Sequence, residues 1–149
     1  MTELAFDVRG LPIAQGNAKA FVVGHRAVVT TGAGRGPLAD WRHAIATEAR
    51  AAIAGQPLLA GPVGVQLVFR LARPNSHLNA AGQVKLAAPV YVAKKPDADK
   101  LARAALDALT AVVFGDDSQV GELRVIKRYA EANEGPGVRV LVRQLEDGR

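Results

Sequence analysis

The sequence predicts an α+β fold, a small mixed β-sheet with two main helices in a single domain spanning residues 1–149. Three observations point there. Two segments repeat apolar residues at helical spacing, residues 63–71 alternate them on one face, and shorter alternating runs lie near both ends of the chain. A hydrophobic content of 49% over 149 residues is enough for one core and too little for two.

Residues 3–9 and 20–30 are rich in valine, phenylalanine and alanine and read as N-terminal strands, with a hairpin at Gly24-His25. Glycine and proline punctuate the stretch from Thr31 to Pro37, which reads as a loop. A helix is expected over 38–54, where Leu38, Trp41, Ile45, Ala49 and Ala52 recur on one face and Gly55 and Pro57 end the pattern. From 63 to 71, Val63, Val65, Leu67, Phe69 and Leu71 line one side of a half-buried strand. Residues 73–96 hold Pro74, Gly82, Pro89 and Pro96 and form a longer connection than a compact domain usually carries, a mark of functional or disordered segments. A second amphipathic helix is predicted from Asp97 to Val112, lined by Leu101, Ala105, Ala108, Leu109 and Val112. Phe114 to Ser118 reads as a turn. The runs 120–129 and 137–145 read as strands joined through Gly135-Pro136-Gly137, and the expectation is that they pair as a hairpin.

The net charge is +5, unevenly spread: residues 1–93 hold nine Lys/Arg against four Asp/Glu, and residues 94–149 hold ten against ten. No carboxylate lies between Glu48 and Asp97, a stretch that carries Arg50, Arg70, Arg73, Lys85, Lys94 and Lys95. Such a segment attracts a polyanion, although a solvated basic surface accounts for it equally well. The absence of cysteine excludes disulfides, thiolate metal sites and cysteine nucleophiles. With no apolar run long enough to span a bilayer and no leader-like start, the expectation is a cytoplasmic protein of a bacterium or a phage-infected host. Ser76 and Ser118 lie in no nucleophile elbow, and His25, His43 and His77 show no ligand spacing. The glycines from Gly32 to Gly36 match no nucleotide-binding fingerprint. Trp41 reads as core, with base stacking the alternative, and His77 as a plain loop residue.

The chemistry concentrates in Lys94-Lys95-Pro96-Asp97-Ala98-Asp99, Arg103 and Gly115-Asp116-Asp117. Five of the fourteen acids, Asp107 among them, fall within these twenty-one residues from 97 to 117. Magnesium takes hard oxygen ligands and keeps several waters, so two or three converging aspartates make a site. An extended entry to the helix would turn Asp97 and Asp99 the same way. A structural account competes, since aspartate also caps helices and Gly-Asp-Asp-Ser is an ordinary turn. Arg103 stands four residues from both Asp99 and Asp107, where a helix-surface ion pair of roughly 0.3–0.5 kcal/mol would explain it.

These residues resemble the RusA family of Holliday-junction resolvases, in particular its phage and prophage branch. The resemblance rests on the run from Lys94 through Asp97, Asp99, Arg103 and Asp107, on Asp116-Asp117-Ser118-Gln119-Val120, and on the segment from Arg73 to Asn79. Lys127-Arg128-Tyr129, Gly135-Pro136-Gly137 and, more loosely, Gly10-Leu11-Pro12, Gln15-Gly16 and Lys19 extend it. It implies a homodimeric α+β nuclease that makes paired nicks in four-way junctions with Mg2+. Asp97, Asp99 and Asp117 match that family's essential acids, with Asp116 a neighbour at the metal. Two positions depart from the pattern: members often carry asparagine at the place of Lys100 and a catalytic lysine at the place of Arg103. Arginine does not act as a general base, so Arg103 is expected to work by charge.

The expected mechanism has Asp97, Asp99 and Asp117 holding one or two magnesium ions that polarise the scissile phosphate and activate a water for in-line attack. Lys19, Arg73, Lys94, Lys95 and Lys100 are the expected DNA contacts. Two strands to cut favour a two-fold dimer. The rival readings are a non-catalytic DNA-binding protein and a metal-dependent phosphohydrolase acting on nucleotides.

Overall fold

The computed structural model describes residues 2–16, 19–24, 26–30 and 35–146, with backbone alone for 19–23 and 26–30. The strands are β1 (Glu3–Arg9), β2 (Lys19–Val23), β3 (Arg26–Thr30), β4 (Val63–Leu71), β5 (Val120–Tyr129) and β6 (Gly137–Gln144). The helices are α1 (Pro37–Ile53) and α2 (Ala98–Leu109), so the α+β expectation holds. β2 and β3 pair antiparallel as a separate hairpin; His25 and residues 31–34 of the glycine-rich stretch lie outside the described residues.

The main sheet is mixed, in the order β1-β6-β4-β5, with β4 and β5 parallel and the other pairs antiparallel. A parallel pair needs a crossover, and α2 supplies it between β4 and β5. The alternation of β4 buries Val63, Val65, Leu67 and Phe69, and β6 adds Val138, Val140 and Val142 to the same core. α1 covers that core with Trp41, Ile45, Ala49 and Ile53, one residue per turn, and Trp41 is buried as the sequence suggested. α2 adds Leu101, Ala102, Ala105, Ala108 and Leu109. Among the described residues no helix is long and apolar enough to cross a membrane.

Two sequence expectations need correction. β5 and β6 form no hairpin, because β4 lies between them and pairs with both. The three valines of β6 are fully buried and take a central place in the sheet, whereas most of β5 is exposed or half-buried, as suits an edge. The connection from 130 to 136 therefore passes the end of β4, where Ala130 N–H donates to Leu71 O (2.8 Å) and Arg70 Nε to Gly135 O (3.1 Å). The second helix also stops earlier than Val112. Thr110 leaves it with extended angles, φ −62° and ψ 132°, while its hydroxyl donates to Leu106 O (2.9 Å). Ala111, at φ 63°, turns the chain back, so Val113 and Phe114 are buried from a tight turn.

Candidate active site

The long connection into α2 is ordered by the edge strand. Val92 N–H donates to Lys127 O (3.1 Å) and Tyr129 N–H to Val90 O (2.9 Å), so residues 90–92 extend the sheet beyond β5. Proline at 96 has no N–H to continue such a ladder. The side chain of Lys127 takes over, its ammonium donating to Lys94 O (2.6 Å) and Pro96 O (2.7 Å).

Asp97 follows directly, in extended conformation at φ −72° and ψ 138°, and its carbonyl accepts from Leu101 N–H (3.0 Å). Its carboxylate makes no capping bond to the helix and stands 3.5 Å from Lys100 Nζ. The capping explanation of Asp97 is thus not realised by its side chain, which remains half exposed. Asp99 is exposed in the first turn of α2. Asp107 is engaged elsewhere, accepting from Gln15 Nε2 (2.6 Å).

The two acids after α2 divide their work. Asp116 accepts from Ser118 N–H (3.3 Å) and from the Ser118 hydroxyl, and Gln119 Oε1 accepts from Asp116 N–H (3.1 Å). The Ser118 hydroxyl and N–H hold the Asp116 carboxyl below its ordinary pKa. Gln119 Nε2 also donates to Leu59 O (3.0 Å) and Gly61 O (2.8 Å), anchoring this turn beside the start of β4. Asp117 is exposed next to it and faces a groove.

That groove lies between α2 and β5. Ala98, Asp99, Ala102, Arg103 and Leu106 line it from the helix, Leu123 and Val125 from the strand and Asp117 from the turn, enclosing about 490 Å³. Spacing of three and four residues along α2 puts its contributors on one stripe. α2 runs opposite to β5: its start lies by Lys127, near the end of the strand, and Asp117 precedes the strand's first residue. At 1.5 Å per residue the helix is about 18 Å long. Asp97 and Asp99 therefore stand at one end and Asp116 and Asp117 at the other. Among the described residues no three His, Asp or Glu side chains converge as a ligand set.

Of the expected DNA contacts, Lys94 and Lys95 are exposed and Lys100 is half-buried beside Asp97. Lys19 begins β2, and its side chain lies outside the described residues. Arg73 is committed within the fold: it donates to Ala130 O (3.1 Å) and Pro89 O (2.7 Å), pairs with Glu131 at 3.5 Å and lies 5.2 Å from the Tyr129 ring centre. His77 is more than a plain loop residue, since its ring meets Tyr129 edge-on at 4.8 Å. Desolvation first, then the charges of Arg73, Lys94 and Lys85, lower its pKa. Lys127 stands out in the sequence only within the resemblance, with no role assigned to it, although a lysine following Leu123 and Val125 on the core-facing side of a strand is a signal that such a charge has a specific acceptor.

The family model described as endodeoxyribonuclease RusA matches residues 10–143, which include both ends of the groove. An uncharacterized protein of Bacillus subtilis (strain 168), YqaN, is 26% identical over 144 residues, 95% of this chain and 96% of that one.

Proposed function

The chain belongs to the RusA family of endodeoxyribonucleases, the Holliday-junction resolvases, and from that we propose that it works as a homodimer on branched DNA, hydrolysing one phosphodiester in each of two strands with Mg2+. The observation that carries this reading is the groove lined by Asp99 in the first turn of α2, Arg103 at mid-helix and Asp117 beyond the helix's far end. The donor set fits a hard divalent ion: magnesium is commonly held by one or two carboxylates, with water and substrate phosphate completing the octahedron. It does not suit a softer metal, since the chain has no cysteine and, among the described residues, no histidine lines the groove.

Asp97 and Asp99 precede or begin a helix of 12 residues and Asp117 follows it, and among the described residues no three such side chains form a ligand set. A two-fold partner laid with its α2 antiparallel brings Asp117 of the partner subunit beside Asp97 and Asp99, and the same operation builds the second site. This arrangement also covers Ala98, Ala102, Leu106, Val125 and Leu123, the last of them 46% exposed in the single chain. The composite site thus explains both the separation of the acids and the apolar lining between them.

In this mechanism Asp97, Asp99 and the opposing Asp117 orient the reacting centre, and Asp116 shapes the turn that presents Asp117. The bound cation supplies a Lewis acid for the phosphoryl oxygens and a more acidic water for attack. Arg103 offsets the negative charge that develops on phosphorus and does not itself take a proton. Lys94, Lys95, Lys100 and Lys19 neutralise backbone phosphates, and Arg73 contributes by fixing the segment that carries Lys94 and Lys95.

The test is cleavage of an end-labelled four-way junction beside matched duplex and single strand, with and without Mg2+, by wild type and Asp99→Asn. Paired nicks confined to the junction, lost on chelation and in the variant, are expected. Binding without cleavage under any divalent cation would replace this reading with that of a DNA-binding protein, and phosphate release from mononucleotides with that of a nucleotide hydrolase.

A further inference from the structure

We propose that Lys127 is a positioning residue that sets the direction of Asp97 and Asp99 by clamping the backbone just before them. The proposal rests on those acids holding the metal, as in the mechanism above. One residue makes three hydrogen bonds to a five-residue strap: its carbonyl accepts from Val92 N–H (3.1 Å), and its ammonium donates to Lys94 O (2.6 Å) and Pro96 O (2.7 Å). The backbone ladder cannot continue past this point, because proline offers no donor and α2 begins two residues later.

The side chain therefore replaces the ladder where the chain changes from strand-like to helical. Lys127 occurs after Leu123 and Val125 on the groove-facing side of β5, so the same strand forms the groove floor and fixes the entry of its acidic end. Bonds from an ammonium are stronger than those between neutral groups, and removing the donor leaves the partly buried Pro96 carbonyl without its partner and hands the exposed Lys94 carbonyl to water. With those carbonyls released, Pro96 and Asp97 are no longer held in register against β5. Groups that orient metal ligands in this way typically change affinity or activity by about 10–100-fold when removed.

The experiment compares full-length wild type with Lys127→Met, which keeps most of the stem, and Lys127→Arg, which keeps a charged donor. Three quantities are read: amide hydrogen exchange over residues 97–101 in metal-free protein, Mn2+ binding by calorimetry, and the Mg2+ dependence of junction cleavage alongside metal-free junction affinity. The methionine variant is expected to exchange faster in that segment and bind Mn2+ roughly 10–100-fold more weakly. Its half-maximal Mg2+ should rise correspondingly, junction affinity should change less than about twofold, and arginine should restore most of the loss. Unchanged exchange and Mn2+ affinity in Lys127→Met would overturn the proposal, as would a loss confined to junction affinity, the mark of a plain phosphate contact. The exchange and Mn2+ results stand even if wild type cuts no branched DNA, an outcome that would sink the nuclease reading alone.

Discussion

Asp99 and Asp117 face one groove from opposite ends of α2, a helix of 12 residues. If two-fold pairing joins these ends, each site draws on both protomers. Mixing Asp99→Asn with Asp117→Asn protein then yields heterodimers in which one composite site carries both substitutions and the other carries neither. Random exchange makes half the dimers mixed, so about a quarter of wild-type sites should reappear from two inactive parents. Nicking of a labelled junction, read after subunit exchange, measures this directly. A mixture as inactive as its parents would place all three acids of each site in one chain.

A different measurement separates the lysines from Arg73. Lys94 and Lys95 are exposed, so replacing both by alanine should reduce the slope of log affinity against log salt by roughly 1.8 on duplex arms, about 0.9 for each phosphate that is no longer neutralised. Arg73→Ala should leave that slope nearly unchanged and lower the melting temperature instead, because its guanidinium binds Ala130 O, Pro89 O and Glu131. An equal slope change in both variants would make Arg73 a phosphate contact after all.

Much of the local structure around the candidate site was legible because its signals are local. Asp97 and Asp99 flank a helix start that apolar periodicity located to within a residue, and the buried stripe of α1 was visible from Trp41 to Ala49. The strand order was not legible. Alternation tells which residues face the core but carries no information on which strand lies beside which, so β6 pairing with β4 rather than β5 appears only when burial is compared along the chain. The same limit hid the role of Asp116, which depends on a serine and a glutamine closing back on it, and that of Lys127, whose acceptors lie more than thirty residues earlier.

Arg70 is 6% exposed on the sheet face away from the helices, and Asp7 receives it at 2.7 and 3.1 Å. Gly137 makes room for the arrangement, since a side chain there would meet Val8 O and the Arg70 guanidinium. Asp7→Ala strands a buried cation, and breaking such pairs costs about 3–5 kcal/mol when both partners are buried. The Asp7 side chain is 37% exposed, so a loss nearer 2 kcal/mol is expected, measured by denaturant midpoint. No change in midpoint would show that Gly135 O and Glu134 satisfy Arg70 unaided.

Glu134 gives the fold an acid-sensitive contact. The two bonds from Arg128, 2.8 and 2.9 Å, are the largest cause holding its pKa at about 2 rather than 4.5, against an opposing desolvation effect. A carboxyl with a lowered native pKa adds stability that is complete above its unfolded value and disappears as pH falls through the native one. The contribution should therefore fade between about pH 4.5 and about pH 2. With the Glu134 side chain 33% exposed, solvent screening keeps it below about 1 kcal/mol. Glu134→Gln should flatten the stability curve across that window, and an unchanged slope would remove Glu134 as the source.

Arg103 separates charge from proton transfer. It lines the groove with Asp99, where a fixed positive group offsets charge gathering on a phosphorane. Arginine does not serve as a general base, so the side chain is expected to act through its charge. Arg103→Met should reduce single-turnover cleavage by about 10²–10³-fold, the range seen when one transition-state donor is deleted, with junction affinity little altered. Arg103→Lys restores a positive charge without the planar fork and should recover part of the rate with an unchanged pH profile. If the lysine variant instead gains a new basic limb in its pH–rate curve, the position takes a proton in that variant, and a role through charge alone fails. Full activity in Arg103→Met would remove the side chain from the reaction and leave the acids and the cation to stabilise the transition state unaided.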